Sequence, residues 1–565
     1  MPYFVRTAHA SSPCVSRSLL TDNPFILKKG KVILKRLADY KIYFILRNNW
    51  QQKRFIPSFL YLNMKNSLIK NQVISQILKR YRTLWALNHL ALLGQWDLET
   101  HMPEEGAKAR AEALAKISTL NQSIFLEEEF VSLIKKAERE KLNDNEKAII
   151  RTLKRALKYY QRLPPDFIEE FTRVVNESHL VWKKARENNN FSAFAPHLEK
   201  IFSLSIKKAR LLGYKEHPYD ALLDEFEEGL TTKDVETYFS KIKQPLLSLI
   251  TYIKKSQKYK TEHALEKEPY DADKMTAFNY KLLKKIHYNL NHLRLDIAPH
   301  PFTINIGPGD VRITTRYEGT DFTRTYSSVM HEYGHALYDL QSHEDLHFTP
   351  IHGGNSLIIH ESQSRFWENV VGKSRAFLES LYGNIIEASQ ELVKYTIDDL
   401  YEYINLVKPG LIRVEADEVT YHLHILIRFE IEKALIEGKI KVKDLPKIWN
   451  EKYESYLGIK PKTDSEGVLQ DIHWSHGSIG YFPTYSLGSA LSAVWKKEIE
   501  KNLGLLSELV QTTEGIRKIQ NWLKEHVHQH GSTYLYQELV MKVSKKEFKP
   551  EILIEYLEDK YRKLY

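Results

Sequence analysis

The sequence predicts a mostly α-helical fold with one small β element, and three observations carry that reading. From about residue 67 to 300, apolar side chains recur at three- and four-residue spacing, as in ISQILKRYRTLWALNHLALLGQWDLE. Around residue 300 the pattern switches to apolar–polar alternation rich in β-branched residues. That stretch, HPFTINIGPGDVRITTRYEGT, is broken by Gly-Pro-Gly and reads as two short strands around a turn. Helical texture resumes at Phe322 and runs, with interruptions, to the end.

Residues 1–63 read unlike the rest. They hold eleven Lys and Arg against Asp22 and Asp39, a net of +9, whereas residues 64–565 hold 71 basic and 70 acidic side chains, a net of +1. The overall +10 and the pI near 9.0 therefore describe this leader. A nearly neutral body argues against a nucleic-acid partner, which needs a basic stripe on a folded surface. The start, MPYFVRTAHASSPCVSRSLL, contains Ser and Arg but no acid, as targeting segments do. It lacks the apolar core and small-residue cleavage site of a secretory signal. The competing reading is a start placed too far upstream, with Met64 as the initiator. Two units are expected: the leader 1–63 and a single domain over 64–565.

Cys14 is the only cysteine and lies in the leader. It permits no intrachain disulfide, and the body has neither a thiol nucleophile nor a cysteine metal site. No run of 18 apolar residues occurs, so no membrane-spanning helix is expected. The body can bury a large core.

Taken in order, residues 67–300 should be helices, among them EEFVSLIKKAERE and DVETYFSKIKQPLLSLITYIKK. The two strands follow, then the helix opening at Phe322. Segment 351–356, IHGGNS, should interrupt the helices. So should 473–489, HWSHGSIGYFPTYSLGS, whose Gly, Ser and aromatics suit a loop that lines a site.

The strongest chemical signal is His331-Glu332-Tyr333-Gly334-His335. On a helix, positions i and i+4 share a face, so both imidazoles can reach one ion. Glu332 then lies beside that ion, where it can take a proton from the attacking water. Tyr326, Val329, Met330, Tyr333, Leu337 and Leu340 form an apolar stripe that would bury the other face. His343-Glu344-Asp345-Leu346-His347 matches the same pattern, but it has a charge between its histidines and is followed by Phe-Thr-Pro, so it reads as a solvated turn. A catalytic zinc usually takes three protein ligands and leaves one position open. The best third candidate is Glu361, 26 positions after His335 on the next helical segment. Taken alone, that glutamate would be read as a surface residue.

These residues belong to a longer ordered set. Trp96-Asp97 precedes Met102-Pro103, then come His300-Pro301-Phe302 and Asp310-Val311-Arg312-Ile313-Thr314. The helix His331–His335 and His360-Glu361-Ser362-Gln363 follow. Ile412-Arg413-Val414-Glu415-Ala416-Asp417 and Gly467-Val468-Leu469-Gln470-Asp471-Ile472-His473-Trp474 complete the set. Over about residues 70–565 the chain resembles the carboxypeptidase Taq family of zinc metallocarboxypeptidases. The resemblance implies a two-lobed helical fold around a deep central groove, with a small sheet beside the metal helix. It also implies a homodimer, a cytoplasmic enzyme and the release of C-terminal residues from peptides with broad specificity.

In that family reading His331, His335 and Glu361 hold Zn²⁺, or Co²⁺ or another divalent metal, and Glu332 is the general base. Tyr481 and Tyr485 are donors to the oxyanion or the substrate. Arg413 pairs with the substrate's α-carboxylate, for which its fork is suited, although Asp417, one turn on, could instead take it as a structural partner. Gln470 and His473 would lie near the substrate's end. Asp310, Arg312 and Thr314 would brace the strand beside the metal helix. Arg365 cannot steady a ligand histidine, so the outer partners of the ligands are not identified. Peptides are the expected partners, with no nucleic acid and no membrane. Two alternatives remain: a zinc endo-oligopeptidase on a similar fold, and a non-catalytic helical scaffold.

Overall fold

The computed structural model describes residues 68–286 and 289–565. They fall in one compact unit. The leader, with Cys14 and Met64, lies outside the described residues.

The described residues open with α1 (Gln72–Thr100), α2 (Ala107–Phe125), α3 (Glu128–Ala137), α4 (Asp144–Arg162), α5 (Pro165–Glu187), α6 (Phe191–Leu212), α7 (Pro218–Phe226), α8 (Thr232–Lys255) and α9 (Ala272–Lys285). Side chains cap many of these helices. Asn143 accepts from the Glu146 amide while Glu146 returns to Asn143 at the start of α4, and Thr231 and Asp234 do the same for α8.

Three strands follow: β1 (Leu293–Ile297), β2 (Thr303–Gly307) and β3 (Asp310–Thr315), in the spatial order β1-β3-β2. The β2–β3 hairpin is the expected pair, with Thr303 opposite Ile313. β1 corrects the expectation of helix up to residue 300. It runs parallel to β3, with Leu293 opposite Val311. Leu293 and Leu295 are buried while Arg294 is exposed, so the period is two, but over five residues that is too short to outweigh its helical neighbours.

Beyond the sheet lie α10 (Phe322–Leu340), α11 (Leu357–Arg365) and a π-helical turn, Phe366–Gly372. Then come α12 (Arg375–Ala388), α13 (Ile397–Ile404), α14 (Tyr421–Ile436), α15 (Leu445–Leu457) and α16 (Pro483–Leu503). The last helices are α17 (Leu506–Leu509), α18 (Thr513–His526), α19 (Tyr536–Ser544) and α20 (Glu551–Leu564). None of the helices among the described residues is long and apolar enough to cross a membrane.

The main core runs from Leu163 to Leu564 and takes in the buried face of α10, with Tyr326, Val329, Met330 and Tyr333 fully enclosed. A second cluster joins α1, α3 and α4 to Leu346 and Ile351. A third, Trp96, Ala298, Phe302, Ile304 and Ile306, backs β2.

Two glycines set how closely the central helices approach. A Cβ on Gly334 would lie 2.4 Å from the Gln363 carbonyl oxygen, so α10 and α11 meet backbone to backbone. A Cβ on Gly488 would lie 2.6 Å from the Glu361 Cβ, so α16 closes on the other side of α11. Helix α11 is thus held between two glycine contacts, and Glu361 is fixed in depth and in rotation.

Candidate metal centre

Helix α10 begins at Asp321, whose side chain accepts from the Thr323 amide, and it carries His331 and His335 on one face. Their rings lie 5.0 Å apart at 79°. Glu361 Oε2, from α11, lies 3.8 Å from His331 Nε2 and 3.6 Å from His335 Nε2. All three ligand atoms fall within 4.8 Å of one another, which is the spacing of donors around one ion. Two imidazole nitrogens and one carboxylate oxygen suit zinc and neighbouring first-row divalent ions.

The side chains behind the triad bear on which ring nitrogens carry the protons. His331 Nδ1 donates to Glu368 Oε2 at 2.8 Å, so in the neutral ring Nε2 carries the lone pair. His335 Nδ1 lies 2.8 Å from His360 Nδ1, and His360 Nε2 lies 3.4 Å from Asp339 Oδ1. With the His335 Nε2 lone pair directed at an ion, the protons order as His335 to His360 to Asp339. Arg365 Nε donates to Glu361 Oε1 at 2.7 Å and its Nη1 to Glu368 Oε2 at 3.2 Å. One oxygen of Glu361 is therefore held by the guanidinium and the other is left toward the histidines. Burial alone would raise the Glu368 carboxyl, but Arg365, Lys373 and His331 hold it well below the usual range.

These outer partners were not legible as such. Asp339 is one turn after His335 and Glu368 is seven residues after Glu361, so helical spacing hinted at both. The π-turn that re-aims Glu368 left no sequence signal. Arg365 does contact the ligand set, through Glu361 and not through a histidine.

Glu332 is 2 % exposed, and its Oε2 accepts from Thr303 Oγ1 at 2.6 Å, which ties α10 to β2. Burial pushes its carboxyl up to about 7, against the lowering effect of His331 and Thr303. Among the described residues Glu332 alone lines both of two cavities. One, which mixes aromatic and aliphatic side chains with histidines and carboxylates, is lined by His335, Glu361, Tyr481, Tyr485 and Trp85. The other, strongly charged, is lined by His331, Arg365, Arg413, Lys373 and Tyr421.

Tyr481 precedes α16 in the loop as expected, but Tyr485 stands in the first turn of α16, because Pro483 starts the helix six residues before the expected end of the loop. Their rings lie 4.9 Å apart, and burial pushes both phenols up, so both remain protonated donors. Tyr485 hydroxyl lies 3.1 Å from His473 Nε2. His473 thus stands behind Tyr485 and lines neither cavity; burial pulls its imidazole down to about 3, which keeps it neutral.

Arg413 is buried, and its partner is Asp471 rather than Asp417. Its Nε donates to Asp471 Oδ1 at 2.8 Å, while Arg428 Nε donates to Asp471 Oδ2 at 2.6 Å. Asp417 instead accepts from the Val419 and Thr420 amides just before α14. Gln470 Oε1 accepts from the Arg413 amide and from Arg428 Nη2, and its Nε2 donates to two carbonyls. Its amide is spent inside the protein, so it braces Arg413. Asp310 and Arg312 pair with each other along β3, and Thr314 accepts from the Phe302 amide. The second pentapeptide, His343–His347, is a short 3-10 turn pinned by the buried Leu346 and stands apart from the triad.

A profile of the family described as Carboxypeptidase Taq (M32) metallopeptidase matches residues 75–561. The chain is 45% identical to thermostable carboxypeptidase 1 of Pyrococcus furiosus, over 87% of this chain and 99% of the relative. It is 37% identical to carboxypeptidase 1 of Bacillus subtilis, over 84% of this chain and 95% of the relative. The structure of the Pyrococcus furiosus carboxypeptidase, solved as Apo-Mg, superposes with a TM-score of 0.86 at 45% identity, covering 87% of this chain and 100% of that one. Trypanosoma cruzi metallocarboxypeptidase 1 superposes with a TM-score of 0.83 at 33% identity, covering 87% and 99%.

Proposed function

The chain belongs to the carboxypeptidase Taq (M32) metallopeptidase family, and from that premise we propose how its residues release C-terminal amino acids from peptides. His331, His335 and Glu361 hold a divalent metal, zinc in this reading, with cobalt as an alternative. When bound, such an ion polarises the scissile carbonyl and lowers the pKa of the attacking water.

Glu332 takes the water's proton and passes it to the leaving amine. Burial raises this carboxyl above the ordinary carboxylate range, which favours its taking up a proton, and Thr303 Oγ1 donates to its Oε2. Tyr481 and Tyr485 donate to the developing oxyanion, with His473 orienting Tyr485. Arg413 receives the substrate's α-carboxylate in the charged cavity, and Gln470 and Asp471 keep its guanidinium in place. The single observation that carries this reading is the position of Glu332, which follows the first ligand histidine and lines both cavities. A homodimer in a cytoplasmic setting completes the reading; sedimentation and cell fractionation test those two points.

Peptide digestion followed by mass spectrometry tests the chemistry. The expected result is a ladder shortened one residue at a time from the C-terminus, abolished by chelator, and slowed about 10²- to 10⁴-fold in Glu332→Gln with metal still bound. Cleavage that survives conversion of the substrate's terminus to an amide would favour an endo-oligopeptidase. Activity in metal-free protein would overturn the reading.

A further inference from the structure

Another cavity, of about 280 Å³, adjoins the cavity at the metal centre that Tyr481 and Tyr485 line: Asn355 and Leu357 line both. Neither Glu332 nor any residue of the metal triad lines it, so it cannot serve the residues that flank the scissile bond. Its walls come from α4, α5 and α7 on one side and from the loop before α16 on the other. Leu163, Phe167 and Phe226 are buried in those walls, and Phe171 stands half-buried beside Gly477. Such a surface left to water costs free energy that a large apolar side chain would recover.

The polar groups around it call for a particular kind of occupant. Arg151, Arg155, Glu225, Glu228, Asn355 and Ser478 also line it, so donors and acceptors both stand around the apolar interior. A wall that offers donors and acceptors in turn around an apolar interior suits a polypeptide, which brings both N–H and C=O groups beside its side chains.

Glu227 also links this cavity to the metal centre. Its Oε2 accepts from Ser356 Oγ and from the Ile358 amide, both at 2.9 Å, at the N-terminus of α11, which carries Glu361. An occupant in contact with this wall therefore bears on the helix that positions a metal ligand.

We propose that this cavity is an upstream subsite, which takes a large apolar side chain of the peptide substrate several residues before its C-terminus. The inference rests on the carboxypeptidase reading and deepens it: trimming would be indiscriminate at the terminal residue and selective further up the chain.

The test uses N-acetylated alanine octapeptides that share the same last two residues, with a single phenylalanine moved through the upstream positions. At one upstream position kcat/KM should rise about tenfold or more over the all-alanine peptide. Phe171→Ala enlarges the cavity, and Thr172→Trp, at an exposed lining position, fills its mouth. Both variants should bring the phenylalanine peptide down to the level of the all-alanine peptide and leave the latter within about twofold of the parent enzyme. C-terminal trimming with a flat positional profile overturns the inference alone. Variants that slow both peptides equally also overturn it. No trimming of any peptide overturns the carboxypeptidase reading, and the inference falls with it.

Discussion

Arg365 shows how a charge acts on a ligand set without joining it. Its fork fixes Glu361 Oε1 and Glu368 Oε2 together, so a carboxylate ligand and the partner of a ligand histidine answer to one guanidinium. Arg365→Gln should lower metal affinity about 10- to 100-fold, read by competition with a chromogenic chelator. An unchanged affinity would mean that Ser364, which donates to Glu361 Oε2 at 3.2 Å, suffices to orient the ligand. Glu227 offers a second residue-scale test. It is 1 % exposed, and burial raises its carboxyl from 4.5 to about 7. Between those values the folded chain keeps a proton that the unfolded chain has lost, so stability falls as pH rises through that window and the loss is complete above it. The shift corresponds to about 3 kcal/mol. Glu227→Gln, which keeps an acceptor for Ser356 and Ile358, should gain on the parent in thermal melts as pH rises from 5 to 8. A difference that does not vary with pH would sink this account.

At the scale of elements, the approach of α10 and α11 is the decisive contact. Gly334→Ala should cost about 1–3 kcal/mol in denaturant melts and weaken metal binding at the same time, because the Cβ must push Gln363 away. An equally stable variant with full metal content would show that the helices separate without penalty. The element scale is also where the sequence was most and least readable. Helix α10 was legible end to end, since its apolar stripe, its histidine spacing and its start at Phe322 all agree. Tyr485 reads as loop in the sequence because a Gly- and Ser-rich stretch continues into α16, and helix propensity alone does not show where packing takes over. β1 and the Arg413–Asp471 pair depend on contacts between distant segments, which local periodicity does not encode.

At the scale of the molecule, the candidate metal site joins two helices whose neighbours make up the main core. Binding at the native site alone stabilises the fold by mass action, by about 4 kcal/mol when free metal exceeds its Kd a thousandfold. Chelation should therefore lower Tm by several degrees, and re-addition of zinc should restore it. A Tm insensitive to chelator would separate the site from the stability of the core. The arrangement around Glu332 has one more consequence, for product inhibition. The two cavities share that residue alone among those described, and one is strongly charged while the other mixes aromatic and aliphatic side chains with histidines and carboxylates. With the carboxylate held on the charged side, as proposed, a released amino acid should compete there with short substrates and be displaced more readily by substrates that also fill the other side.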